Sequence, residues 1–195
     1  EGGVVTTNDA AIAQKIDLLR SHGITRNEEL MTEPSHGGWY YQQVDLGFNY
    51  RMTDMQAALG VSQMSRLHDF VSKRNKLAAR YDILLQNLPV TTPHQVTNSL
   101  SSRHLYVIRL KLNEISLSHK EVFDQLRENG VGVNLHYIPV HLHPYYKSLG
   151  FSEGQFRNAE SYYSNAISIP LFHSMTLNQQ DEVINILSYI LKNSS

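Results

Sequence analysis

A chain of 195 residues with seventeen Lys and Arg against eighteen Asp and Glu carries a formal charge of -1, so it lacks the charge excess by which proteins hold nucleic acid or anionic membranes. Hydrophobic residues at 41% and charged residues at 18% predict a packed core rather than disorder. Cysteine is absent, which excludes disulfides, thiolate metal ligands and Cys nucleophiles and is compatible with a reducing cytoplasm, where we expect the protein to work.

The chain opens at Glu1-Gly2-Gly3 and passes at once into Val4-Val5-Thr6-Thr7, which reads as a strand; entry into a strand with no leader predicts a cut or a missing segment upstream. A helix follows over residues 9–22, with Ile12, Ile16 and Leu19 on one face and Gly23 as its stop. Residues 25–46 are irregular and rich in Gly, Pro and aromatics, either a disordered insert or a functional loop; Trp39, Tyr40 and Tyr41 argue against disorder. Thr53 with Gln56 forms a capping box that opens a long helix running to Pro89, long enough to predict a break near Phe70.

Residues 91–102 are polar and place a domain boundary near residue 91. The alternation of residues 103–112 predicts a half-buried strand with Tyr106, Ile108, Leu110 and Leu112 on one face and Arg109 and Lys111 on the other. The box Ser118/Glu121 opens a helix that stops at Gly130, and residues 131–138 read as a second strand, giving a β-α-β unit. The box Ser152/Gln155 predicts a helix over 155–165, Ile167–Ile169 a short strand, and the box Thr176/Gln179 a last helix to Leu191. The fold class is α/β, and no apolar run approaches the roughly 20 residues that span a bilayer.

Two constellations carry chemistry. In the sequence of residues 47–51, Gly47-Phe48-Asn49-Tyr50-Arg51 directly precedes a helix start, where backbone donors attract anions; Asn49 and Arg51 offer a neutral donor and a bidentate fork for phosphate or carboxylate, although a turn asparagine and a solvated arginine explain the pattern equally well. His136, His141 and His143 lie in an aromatic run broken by Pro139 and Pro144; with no carboxylate or Cys nearby in sequence, a loop at a ligand or subunit interface is the better reading, and no metal site is assigned. The stretch Arg20-Ser21-His22-Gly23 reads as an ordinary cationic helix end. Gly-rich phosphate loops, nucleophile elbows and zincin motifs are lacking.

The segments EGGVVTTND, LLRSHGITR, DLGFNYRMTDMQAALGVSQM, HLYVIRL, GVNLHYIPVHLHPYY, AESYY and ISIPLF resemble, in order and along nearly the whole chain, the C-terminal half of the DegT/StrS family of pyridoxal-phosphate (PLP) sugar-nucleotide aminotransferases. The resemblance implies the C-terminal part of a fold type I aminotransferase: residues 1–90 as the end of the large PLP domain with a long interdomain helix, and 91–195 as a small α/β domain. It implies a cytoplasmic homodimer with active sites shared between subunits, glutamate as amino donor, and a UDP-sugar as acceptor. SHGITR, WYYQQ and NLHYIPVHLHPYYKSLGF are most similar to members that aminate the fourth carbon of a UDP-linked 4-keto-6-deoxy amino sugar on the way to pseudaminic acid.

Carried onto this sequence, the resemblance makes Asn49 a contact to cofactor and substrate reaching into the other subunit's site, Arg51 an anion partner near the phosphates, and Asn134, Leu135, His136 and Tyr137 the stretch that binds the sugar nucleotide, with an interface role for His141. The family's PLP is held as a Schiff base by a lysine whose motif ends in Glu-Gly-Gly, so the chain is expected to begin just after that lysine. Of its seven lysines (Lys15, Lys73, Lys76, Lys111, Lys120, Lys147 and Lys192) none stands in the motif, and none is assigned a catalytic role. By itself the chain is then expected not to hold the cofactor covalently. Two other classes stay open: a non-catalytic nucleotide-sugar-binding or dimerisation module, and a regulator built on an aminotransferase domain, for which no helix-turn-helix or basic patch speaks.

Overall fold

The structure is a computed structural model that describes residues 2–192. Contacts divide the chain into two compact units, Glu1–Arg66 and Leu67–Ser195.

In the first unit α1 (Ala10–Arg20) begins where Asp9 accepts the free N–H groups of Ala11 and Ile12, and ends where Gly23, at φ +69°, returns its N–H to Leu18 O at 2.9 Å. β1 (Ile24–Thr25) pairs antiparallel with β2 (Gln42–Gln43), closing residues 25–46 into an ordered loop. A 3₁₀ turn at Glu28–Leu30, the stacked rings of His36 and Tyr40, and the Gln42 amide bonded to Thr32 and Glu33 fill it. α2 (Asp54–Met64) starts at the expected Thr53/Gln56 box. Its break falls at Ser65 and Arg66 rather than at Phe70: the Ser65 hydroxyl donates to Ser62 O at 2.8 Å, the local bonding by which serine competes with a helical ladder. The strand expected at 4–7 pairs with nothing among the described residues, and Val4 and Val5 stay exposed. Glu1, which opens the quoted EGGVVTTND segment, lies outside the described residues. Neither α1 nor α2 buries a residue; among the described residues the buried hydrophobic side chains lie at or beyond Leu77.

The second unit has the core. α3 (Leu67–Leu84) contributes Leu77, Ala78 and Tyr81, and the short β3 (Val90–Thr91), unforeseen in the sequence, pairs antiparallel with β4 (Tyr106–Leu110). Because the apolar side chains of α3 pack with this later core, the compact units divide at residue 67, ahead of the polar stretch that suggested a boundary near 91. β4 pairs antiparallel with β5 (Ala166–Ile169), in the order β3-β4-β5. Tyr106, Ile108 and Leu110 face the core as the alternation predicts; the strand is shorter than 103–112 because Arg103 sits at φ +49°, outside the extended region. α4 (His119–Glu128) and α7 (Leu177–Lys192), both opened by the predicted boxes, cover that face with Val122, Leu126, Val183 and Leu187.

Residues 131–138 do not form the expected strand. Only Asn134 pairs, with Ser168 of β5, and its side chain then takes the N–H of Leu135 at 2.8 Å, turning the chain out of the ladder. Since Asn134 and β4 are both antiparallel to β5, they run parallel to each other, so the β-α-β connection exists with β5 between its two arms. α5 (Pro144–Ser148) was not foreseen, and α6 (Arg157–Tyr163) starts two residues after the predicted 155. The Ser152/Gln155 box closes only by half, because Gly154 adopts φ +88° and the Glu160 carboxylate takes the N–H groups of Gly154 and Phe156 that a cap would have satisfied.

Candidate functional site

Asn49 and Arg51 lie in the first unit, on a segment pressed against the C-terminal end of α1. Phe48 N–H donates to Leu19 O at 2.7 Å, His22 N–H to Phe48 O at 2.9 Å and Tyr50 N–H to Arg20 O at 3.0 Å. Two glycines permit the approach. A Cβ on Gly47 would stand 2.1 Å from Gly23 N, and one on Gly23 would stand 1.9 Å from Asp45 O. The SHG and LGFNYR segments are therefore two halves of one backbone clasp, which ties the chain on either side of Asn49 to the end of α1. The Asn49 amide and the Arg51 guanidinium are exposed and make no hydrogen bond or ion pair among the described residues. Neighbouring charges are paired instead: Arg20 with Asp17 at 2.6 Å, and Lys15 with Asp45, whose carboxyl the Lys15 ammonium holds below the usual carboxylate range. Arg51, with Gly2, Val4, Ile16, Arg20 and Tyr50, lines an open cleft of about 1140 Å³ that no lysine borders. A guanidinium fork with free donors in a cleft suits a phosphate-bearing or carboxylate ligand; Asn49, two residues earlier in the chain, is exposed but does not line that cleft.

In the second unit Asn134, Leu135, His136 and Tyr137 follow the last rung of the sheet. Asn134 is fixed on both sides by Ser168, with N–H to O distances of 3.1 and 2.8 Å. His136 and Tyr137 are exposed, the peptide between them is cis, and the His136 ring meets Tyr162 of α6 edge-on at 6.4 Å. Burial raises the pKa of the Tyr162 hydroxyl, with the nearby Arg109 charge acting against it. His141 leaves the group of exposed histidines: it is buried, its Nε2 lies 2.7 Å from Glu160, and its ring tilts against Phe156. Glu160, held below the usual carboxylate range chiefly by that His141 hydrogen bond, also receives Gly154 and Phe156 N–H, so one carboxylate anchors the loop that follows residues 134–137 to the start of α6. Sequence reasoning missed Glu160 and Tyr162; spacing alone gives no sign that AESYY faces the histidine run. Among the described residues, no three His, Cys, Asp or Glu side chains gather as a metal-binding group, and no helix is long and apolar enough to cross a membrane.

The family profile described as the DegT/DnrJ/EryC1/StrS aminotransferase family matches residues 1–188. The spore coat polysaccharide biosynthesis protein SpsC of Bacillus subtilis is 37% identical over 98% of this chain and 50% of its own length. The UDP-4-amino-4,6-dideoxy-N-acetyl-beta-L-altrosamine transaminase of Campylobacter jejuni is 34% identical over 98% of this chain and 48% of its own. Among solved structures, Helicobacter pylori PseC, an aminotransferase involved in the biosynthesis of pseudoaminic acid, superposes with a TM-score of 0.83 at 26% identity, covering 96% of this chain and 48% of that one. The PLP-form of a sugar aminotransferase, Spr1654 of Streptococcus pneumoniae, gives 0.80 at 26% identity over 96% and 45%. The chain spans about half the length of the curated relatives it matches. With a profile match over nearly every residue and a partial α/β aminotransferase fold, the chain belongs to the DegT/DnrJ/EryC1/StrS aminotransferase family.

Proposed function

We propose that the full-length gene product is a PLP-dependent aminotransferase that moves an amino group from glutamate to a UDP-linked 4-keto-6-deoxy amino sugar, working as a cytoplasmic homodimer with shared sites. One observation carries this reading: the stretches 49–51 and 134–137 present unpaired donors and rings in a chain that matches 48% of the Campylobacter transaminase over 98% of its own length. PLP, when bound, supplies the electron sink that lets an amino group exchange with a carbonyl. The residues of this chain bind and orient. Arg51 serves the phosphate end of the cofactor or substrate, and Asn49 the polar groups beside it, each with free donors. Asn134, Leu135, His136 and Tyr137 receive the sugar nucleotide, Asn134 fixing the backbone and His136 and Tyr137 offering ring faces. No lysine of the chain takes a catalytic role. Residues up to about 90 complete the large domain, with α3 as the helix joining it to the small one. α2 supports the dimer: Met55, Leu59, Val61 and Met64 are between 62% and 83% exposed, a surface of the kind that subunits cover.

The test is turnover of the full-length protein, loaded with PLP and given glutamate and a UDP-linked 4-keto-6-deoxy amino sugar, followed by release of 2-oxoglutarate. Turnover that requires the UDP-sugar supports the reading. Release at an equal rate with a dTDP-linked ketosugar refutes the substrate assignment; failure with every ketosugar, in protein that keeps its cofactor and binds UDP, favours the non-catalytic binding module.

A further inference from the structure

The sheet register places a charge beside the 134–137 stretch that neither the motif nor the family match singles out. In an antiparallel pair, residues directly opposite share a face. Asn134 is opposite Ser168, Ser168 opposite Val107, and Ala166 opposite Arg109, so Asn134 and Arg109 stand on the same face, away from the core residues Ile108 and Ile167. They are two strand spacings across and two residues along, which sets their Cα atoms about 12 Å apart. Tyr162 is linked to both sides: its ring meets His136 edge-on at 6.4 Å, and the Arg109 charge acts on its hydroxyl. Arg109 is exposed and its guanidinium makes no hydrogen bond or ion pair among the described residues, while other cations of this unit, Arg80, Lys111 and Lys120, have carboxylate partners. On the same face the buried Ser168 hydroxyl has no partner either.

A free guanidinium, a half-exposed phenol and a histidine thus form one strip, with the exposed Tyr137 next to that histidine in the chain. We propose that Arg109 is a diphosphate-binding residue of the sugar-nucleotide site, taking the anionic bridge of the nucleotide while residues 134–137 hold the groups on either side of it. The assignment rests on the reading of 134–137 given above. A planar fork with free donors suits phosphate oxygens bidentately, and the strip offers no carboxylate to compete for it.

The experiment measures calorimetric affinity for UDP and for uridine on the PLP-loaded full-length protein and on its Arg109→Ala, Arg109→Lys, Asn134→Ala and His136→Ala variants. Arg109→Ala weakens UDP at least tenfold and leaves uridine within twofold, with Arg109→Lys between wild type and Ala. Unchanged UDP affinity in Arg109→Ala, or equal weakening of UDP and uridine, overturns the proposal. If Asn134→Ala and His136→Ala weaken UDP and Arg109→Ala does not, only the Arg109 assignment falls. If none of the variants moves UDP, the placement of the nucleotide at 134–137 falls with it.

Discussion

Replacing Gly47 by Ala tests whether the clasp between the two glycine-bearing segments is what holds residues 49–51. An added Cβ would meet Gly23 N at 2.1 Å, the His22 carbonyl carbon at 2.5 Å and Leu19 O at 2.8 Å, all backbone atoms that no side-chain rotation can move away. The segments must separate, and the three bonds joining them, from Phe48, His22 and Tyr50, are the ones lost. At about 1 kcal/mol net each, the substitution costs about 3 kcal/mol. Gly60→Ala is the control: nothing lies within 4 Å of its added Cβ, and replacing a helical glycine in α2 gains up to about 1 kcal/mol. Urea unfolding of the full-length protein gives the global cost, and amide hydrogen exchange at Phe48 and Tyr50 detects a local opening that unfolding curves miss. If Gly47→Ala retains that protection and stays within about 0.5 kcal/mol of wild type, a range usual for surface changes, the close-approach argument is wrong.

Leu126, with no exposed surface in the core of the second unit, should cost about 2 to 5 kcal/mol when cut to Ala, seen as a lower urea midpoint with an unchanged slope. Glu160 has its folded pKa lowered, so its contribution is complete above the unfolded carboxylate value of about 4.3 and fades as pH falls through the folded one. The stability gap between wild type and Glu160→Gln should therefore be flat above about pH 5 and close in acid; a gap that widens in acid refutes the His141 and Glu160 pairing. Asn49→Ala and Arg51→Ala remove exposed side chains without internal partners. They should leave the unfolding midpoint within about 0.5 kcal/mol of wild type while weakening PLP retention or donor turnover severalfold.

Elements closed by local chemistry were legible. Capping boxes at Thr53, Ser118 and Thr176 and the stop at Gly23 need only residues within one turn, and all four stand where the sequence puts them. The alternation at Tyr106, Ile108 and Leu110 fixed the face of β4 because one side is buried and the other is not. What failed depends on distant partners. Residues 131–138 have the apolar spacing of a strand, but a ladder needs a neighbour for every rung, and only Ser168 supplies one. Ser152 and Gln155 have the spacing of a cap, yet a carboxylate five residues further on takes the donors first. β3 is two residues long, too short to leave a pattern.

The same dependence on partners separates function from scaffold among residues that look alike in sequence. Arg20 and Arg51 are both cations beside a predicted helix end, and His136 and His141 are both histidines of one aromatic run. Folding pairs Arg20 with Asp17 and buries His141 on Glu160, which uses their donors internally, while the Arg51 and His136 side chains make no hydrogen bond or ion pair among the described residues. A polar side chain that the chain immobilises on both flanks, as the Gly23/Gly47 clasp does for Asn49 and the Ser168 rung does for Asn134, yet leaves exposed to solvent, is held in place at a conformational cost that no internal bond of the side chain to a distant residue offsets. Under the proposed function, ligand contact is the physical return on that arrangement. By the same reasoning Arg109, held in β4 with a guanidinium that has no hydrogen-bond or ion-pair partner among the described residues, is grouped under the proposal with Asn49 and Asn134 rather than with the paired charges around it.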